Sequence, residues 1–299
     1  MQIAIIGLGK MGFNLALNLH GKKFDVVGYD IFEDARKRLA ADGPSTADSL
    51  GDLVKKLTGR RVIWLMVPSG KIVDDTIGQL VPLLNKGDII IDGGNSHYKD
   101  SVRRFGELDA QGIDFLDCGT SGGVSGALNG VCVMIGGKKE VYDYCSSVFS
   151  SIAVKDGYLY CGAPGSGHFV KMVHNGIEYG MMQSIAEGFD VMNASEYKLD
   201  FAAVAKLWNN GSVIRGWLME LTEDAFNKDA HIDAIKGIMH SSGEGKWTLE
   251  TALDLNIATP VIALSLMMRY RSLQTDTFSG KVVAALRNEF GGHEVEKNI

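Results

Sequence analysis

Between Met1 and about Cys161, short aliphatic and β-branched runs recur at Ile3–Ile6, Val26–Tyr29, Val62–Val67, Ile89–Ile91 and Ile113–Leu116. Helical patterns of 10 to 15 residues separate them, which predicts right-handed βαβ units and a parallel, doubly wound sheet. Further β-like runs at Val131–Ile135 and Tyr158–Tyr160 are expected to extend it. After Gly162-Ala163-Pro164-Gly165-Ser166-Gly167 the strand signals stop, and the remaining pattern is helical, beginning with a long helix from about Gly167 to Asn193. The fold class read from this change is an α/β doubly wound domain over 1–164 followed by an all-α domain over 165–299. Ligand clefts favour such junctions. The longest apolar run, Leu255–Met268, is about 14 residues and is interrupted by Pro260, whereas a membrane span needs ~20. It is read as a buried helix of a soluble protein.

Within the long helix, Lys171, His174, Asn175 and Glu178 recur at helical spacing and fall within an arc of about 100°. An amphipathic helix normally turns such a stripe to water. This stripe, however, combines a potential base with a potential acid set ~10 Å apart along the axis, a span that suits a small extended substrate.

Composition narrows the partners. The chain has 299 residues, 45% of them hydrophobic, and a net charge of −6 from 30 basic and 36 acidic residues. These are interspersed, so no basic stripe is available for nucleic acid. Cys118, Cys132, Cys145 and Cys161 show no Cys-x-x-Cys spacing and read as reduced thiols of a cytoplasmic protein. The first residues lack a charged leader and run straight into a glycine-rich turn, as a strand does rather than a signal peptide.

That turn, Gly7-Leu8-Gly9-Lys10-Met11-Gly12, follows a strand and opens a helix. In this context G-x-G-x-x-G has a mechanism. The glycines permit a tight turn, close approach to a pyrophosphate and close helix packing, and the helix N-terminus attracts the anion. Asp30 ends the second strand about 20 residues on, where a carboxylate accepts from ribose hydroxyls and repels a 2′-phosphate. Ile31 and Phe32 follow, so no arginine stands ready for that phosphate. A Rossmann-type domain preferring NAD over NADP is expected.

A dinucleotide domain joined to a helix carrying Lys171 and Glu178 suggests a dehydrogenase acting on an alcohol. The loops Asp92–Ser96 and Gly119–Gly123 offer hydroxyls, an amide and backbone N–H groups to a substrate. A metal on His174, Glu178 and nearby His168 is the competing reading. No further carboxylate or cysteine stands at matching spacing, so no metal is expected.

The motifs K-M-V-H-N-G-I-E-Y-G (171–180), I-I-D-G-G-N-S (90–96), S-G-G (121–123), G-K-W-T (245–248) and R-N-E-F-G-G-H (287–293) closely resemble those of the 6-phosphogluconate dehydrogenases. The resemblance implies metal-free oxidative decarboxylation of 6-phosphogluconate to ribulose 5-phosphate and CO₂. Lys171 would act as base and later acid, and Glu178 as the acid that protonates C1, with Asn175 beside them. Asn95, Ser121, Gly122, Gly123, His174 and Asn175 would contact the sugar acid and Tyr179 its phosphate. Gly7 to Gly12, Asp30, Val67, Pro68, Ser69 and Asn95 would contact NAD.

The chain is much shorter than the family's long form and resembles its short-form branch, and the long form's N-R-T is replaced here by Asp30-Ile31-Phe32. The long form's K-G-T-G-K-W appears as Ser242-Gly243-Glu244-Gly245-Lys246-Trp247, leaving Arg271 and Arg287 to carry the phosphate. The tail with Arg287 and His293 would enter a partner subunit's site, implying a homo-oligomer. Two rival readings are a β-hydroxyacid dehydrogenase for a small unphosphorylated acid and a catalytically silent NAD-binding regulator.

Overall fold

The aliphatic runs are continuous because the strands they form are covered on both faces. In the computed structural model, which describes residues 1–297, they build one eight-stranded sheet of order β3-β2-β1-β4-β5-β6-β7-β8. The strands are β1 (Gln2–Ile6), β2 (Asp25–Tyr29), β3 (Ser45–Thr46), β4 (Val62–Leu65), β5 (Ile89–Asp92), β6 (Asp114–Ser121), β7 (Val131–Gly137) and β8 (Ala153–Gly162). Alternate residues enter opposite cores. Ile3, Ile5, Trp64, Ile89, Ile91 and Leu116 line one face, and Ala4, Ile6, Ile63, Leu65, Ile90 and Phe115 the other.

The helices between them are α1 (Lys10–Gly21), α2 (Glu33–Ala41), α3 (Leu50–Lys56), α4 (Lys71–Leu80), α5 (Tyr98–Asp109), α6 (Gly123–Asn129) and α7 (Lys139–Ile152). Pairing is parallel from β3 to β6, antiparallel between β6 and β7, and parallel again to β8. The antiparallel step departs from the parallel sheet expected. Its cause is the short connection through α6, since a parallel crossover needs about a dozen residues or more. Strand order reverses at β1, which lies between β2 and β4. The C-terminal ends there open the crevice in which such sheets bind ligands.

Packing divides the chain into two compact units, one spanning Met1–Asn175 and the other beginning at Gly176. The long helix α8 (Ser166–Asn193) starts in the first and continues in the second. It is followed by α9 (Phe201–Asn209), α10 (Trp217–Lys228), α11 (Gly243–Asp254), α12 (Pro260–Ser272) and α13 (Phe278–Gly291). Phe189, Ala205 and Met219 form the buried centre of the second unit, edged by Phe201, Trp208 and Phe226.

One expectation fails here. Leu255–Met268 is not a buried helix: Pro260 starts α12 part-way along it, and Val261, Leu264, Met267 and Met268 are exposed while Ser265 and Leu266 are buried. Among the described residues no helix is long and apolar enough to cross a membrane. The four cysteines carry free thiols, with Cys118 and Cys145 buried, Cys161 half-buried and Cys132 exposed.

Candidate functional site

The glycine turn between β1 and α1 is shaped for a dinucleotide. Gly7 has φ 93°, in the left-handed region, and a Cβ there would lie 2.5 Å from the Met66 carbonyl oxygen. At Gly12 a Cβ would lie 1.9 Å from the Gly7 carbonyl oxygen, so the helix packs directly on the turn. Gly9, by contrast, is exposed and has nothing within 4 Å of a built Cβ, which leaves its backbone open to a ligand. Leu8 is buried, Lys10 exposed and Met11 half-buried. These residues fit a pyrophosphate at the start of α1.

Asp30 stands at the end of β2, with Oδ2 accepting from the Leu8 N–H at 2.7 Å and Oδ1 from the Phe32 N–H at 2.9 Å. The carboxylate therefore also ties the glycine turn to the second strand. Ile31 and Phe32 follow Asp30, as the sequence shows, but an arginine further along the chain lies close by. Arg36, in the first turns of α2, folds back so that Nη1 donates to the Asp30 carbonyl at 2.8 Å. Helix periodicity returns position 36 to the end of β2, a relation that adjacency in sequence does not display.

Val67, Pro68 and Ser69 follow β4, half-buried in the first case and exposed in the others. Asn95 is exposed on the loop after β5, while its neighbour Ser96 is buried. Both loops are held by Arg104 of α5, which is 1% exposed. Its Nη1 donates to Asp92 Oδ2 and Ser96 Oγ, each at 3.2 Å, its Nη2 to the Gly70 carbonyl at 3.1 Å and its Nε to Asp74 Oδ1 at 2.7 Å. Ser96 Oγ in turn donates to Asp92 Oδ2 at 2.6 Å. Asp74 is pushed upward by burial but held lower overall by its bonds to Arg104 and Arg103.

On α8 the polar stripe is the buried side. Lys171 is 6% and Asn175 8% exposed, whereas Ile177 is 53% exposed, the inverse of a solvated stripe. Gly119 of β6 makes this possible, since a Cβ there would lie 2.3 Å from Lys171 Cβ. Lys171 Nζ lies 3.4 Å from His174 Nδ1, which is 2.9 Å from Asn175 Oδ1. His174 Nε2 meets Ser121 Oγ at 3.2 Å. If Nδ1 carries the proton and donates to Asn175, Nε2 accepts from Ser121. Gly122 and Gly123 follow, at the start of α6. The structure thus brings Ser121, Lys171, His174 and Asn175 together. His168 is buried, with Nδ1 2.7 Å from Ser101 Oγ. Among the described residues no group of three or more potential metal ligands is clustered.

In the second unit, Glu178 is half-buried and Tyr179 buried. The Tyr179 hydroxyl accepts from the Ser242 N–H at 3.0 Å and lies 2.9 Å from Ser242 Oγ. Glu244 is buried at the start of α11, and its Oε1 has no hydrogen-bond partner among the described residues. The guanidinium set against Tyr179 is that of Arg269, 3.7 Å from the ring centroid and bonded to the His240 carbonyl at 2.8 Å. Arg271 is exposed, with Nη1 donating to the Gln274 carbonyl at 2.7 Å. Arg287 is exposed on α13 and His293 just beyond it, where the His293 carbonyl accepts from Asn288 Nδ2 at 2.8 Å.

Residues 2–162 match the family model described as the NAD binding domain of 6-phosphogluconate dehydrogenase, and residues 167–279 match that of its C-terminal domain. The chain belongs to the 6-phosphogluconate dehydrogenase family. A Bacillus subtilis protein whose name assigns it to 6-phosphogluconate dehydrogenase provisionally is 57% identical over 99% of this chain and 100% of its own length. The NAD(+)-dependent, decarboxylating 6-phosphogluconate dehydrogenase of Haloferax volcanii is 42% identical over 99% of each chain. The Plasmodium falciparum 6-phosphogluconate dehydrogenase, whose structures include complexes with NADP+ and with 6-phosphogluconate, superposes with a TM-score of 0.84 at 31% identity, covering 100% of this chain and 66% of its own. A 3-hydroxyisobutyrate dehydrogenase of Salmonella typhimurium shares the fold at TM-score 0.76 and 18% identity, over 91% of this chain and 93% of its own.

Within this 6-phosphogluconate dehydrogenase fold, Arg36, Arg104 and Arg269 are the polar contacts that sequence reasoning missed. Each acts across a turn of helix or between elements remote in sequence. The one available signal was an arginine pair, Arg103-Arg104, on a helix following the D-G-G-N-S loop.

Proposed function

We propose that this member of the family oxidises and decarboxylates 6-phosphogluconate to ribulose 5-phosphate and CO₂ with NAD as the preferred cofactor. The observation that carries the reading is the buried polar face of α8, where Lys171 is withdrawn from water beside His174 and Asn175. Lys171 is the base that takes the proton of the C3 hydroxyl. Bound NAD supplies the hydride acceptor. The β-keto acid so formed loses CO₂ because its ketone accepts the electron pair, and protonated Lys171 donates to that oxygen. Glu178, two turns along the same helix, protonates C1 of the enediol. Asn95, Ser121, Gly122, Gly123, His174 and Asn175 hold the sugar acid, and Tyr179, Arg271, Arg287 and His293 its phosphate end. The preference for NAD is assigned to Asp30, which repels a 2′-phosphate.

The same reading takes residues 1–164 as the dinucleotide domain and 165–299 as the substrate and oligomerisation domain of a cytoplasmic homo-oligomer, a dimer or tetramer. It is supported by α13, which contains no buried residue although Phe278, Val282, Val283, Leu286 and Phe290 lie along it.

The test is steady-state kcat/KM for 6-phosphogluconate with NAD and with NADP, with gluconate as the phosphate-free control. Turnover of 6-phosphogluconate with NAD far above both alternatives is expected. Equal use of gluconate would overturn the phosphate assignment, and equal use of NADP the role given to Asp30.

A further inference from the structure

The first turn of α8 is seated on a carboxylate that no step of the proposed chemistry uses. Asp117 of β6 is fully buried. Its Oδ1 accepts from the Gly165 N–H at 2.7 Å and its Oδ2 from the His168 N–H at 2.8 Å. Both donors belong to the N-terminal turn of the helix, whose first N–H groups have no partners within the helix and carry its positive dipole end. An anion placed there satisfies two of them and fixes the helix in rotation as well as along its axis.

The surroundings leave little slack. A Cβ on Gly167 would lie 2.7 Å from the Asp117 carbonyl oxygen and 2.8 Å from the Gly136 nitrogen, and a Cβ on Gly136 would lie 2.5 Å from Asp117 Oδ1. Backbone therefore meets backbone around the carboxylate. Two residues along the same strand, Gly119 abuts Lys171 Cβ. Strand β6 thus holds the helix at its first turn through Asp117 and touches the lysine one turn later. The neighbouring strand contributes Asp92, the pairing partner of Asp117, whose charge is met separately by Arg104.

We propose that Asp117 is a positioning residue for Lys171: by capping the first turn of α8 it sets where the lysine ammonium stands. The proposal rests on Lys171 being the base. Misplacement of a reacting group by ~1 Å costs about 100-fold in rate. Loss of one of two anchors on the helix is accordingly expected to act on the chemical step and to spare the glycine turn that binds cofactor.

The experiment uses Asp117→Asn, which keeps the shape but offers an amide NH₂ where one N–H needs an acceptor, and Asp117→Ser as a smaller second variant. Each is assayed for single-turnover NADH formation from 6-phosphogluconate, for NADH affinity by fluorescence titration, and for thermal unfolding. The expected result is a 10- to 100-fold slower single turnover with NADH affinity within two-fold of native in a folded protein. Three results overturn it: a single-turnover rate within two-fold of native, a parallel loss of rate and NADH affinity, or failure of both variants to fold, which would make the carboxylate a structural anchor only. Lys171→Ala assayed alongside separates the two claims. If it turns over at the native rate the base assignment fails, whatever Asp117 does.

Discussion

Lys171, 6% exposed, and Asn175, 8% exposed, face inward from α8, and His174 links them to Ser121. Lys171→Ala is expected to slow hydride transfer by about 10²–10⁴-fold, the range of general-base catalysis, while NADH still binds in a fluorescence titration. Loss of both would make the lysine a structural one. Glu178→Gln should instead slow the later protonation at C1, read as reduced release of ribulose 5-phosphate relative to NADH; unaltered ratios would remove Glu178 from that role. Asp30→Ala should raise the NAD Michaelis constant about 10- to 100-fold, since a charge-assisted hydrogen bond contributes ~1.5–3 kcal/mol, and should relax discrimination against NADP. An unaltered NAD to NADP ratio would refute the ribose assignment. The stripe on α8 was legible because i, i+3, i+4 and i+7 share a helix face in any fold. Arg104, Asp117 and Arg269 were not, because their partners lie from 8 to 90 residues away and meet them only once the chain has folded.

Strands β1, β4 and β5 were readable as elements because burial on both faces leaves them almost wholly apolar, and β2 was readable from its Val26-Val27 pair ahead of Tyr29. Strand β3 was not, for it is two polar residues paired to Val27 and Gly28. The antiparallel β6–β7 step was hidden for a related reason: β6 continues past Leu116 through polar and small residues to Ser121, so in sequence the connection to β7 looks long enough for a crossover. What joins the ends of β4 and β5 is a single side chain on α5. Removing one partner of a buried ion pair costs about 3–5 kcal/mol, because the other charge is left without compensation. Arg104→Met should therefore lower the denaturation midpoint and weaken NADH binding together, as Asp92, Ser96 and the Gly70 carbonyl lose a common donor. A variant with native stability would show that the network contributes little.

At the scale of the whole molecule, α12 and α13 each carry a set of large apolar side chains that a single copy leaves exposed, among them Val261, Leu264, Met267, Phe278, Leu286 and Phe290. Fully burying a large aliphatic or aromatic side chain is worth ~1.5–3 kcal/mol, so covering these side chains against a second copy would favour association. Light scattering on the purified chain should give the mass of a dimer or larger, and a monomer at micromolar concentration would refute the assembly. The thiols carry a different consequence. Burial and the nearby Asp117 charge push the Cys118 thiol well up, burial pushes Cys145 up to about 12, and burial raises Cys161. Cys132 alone is exposed, and it pairs across β6–β7 with Ser121. A maleimide dye should thus add once to the folded chain, and at that position its emission would report the arrival of a sugar acid without any mutation having been made.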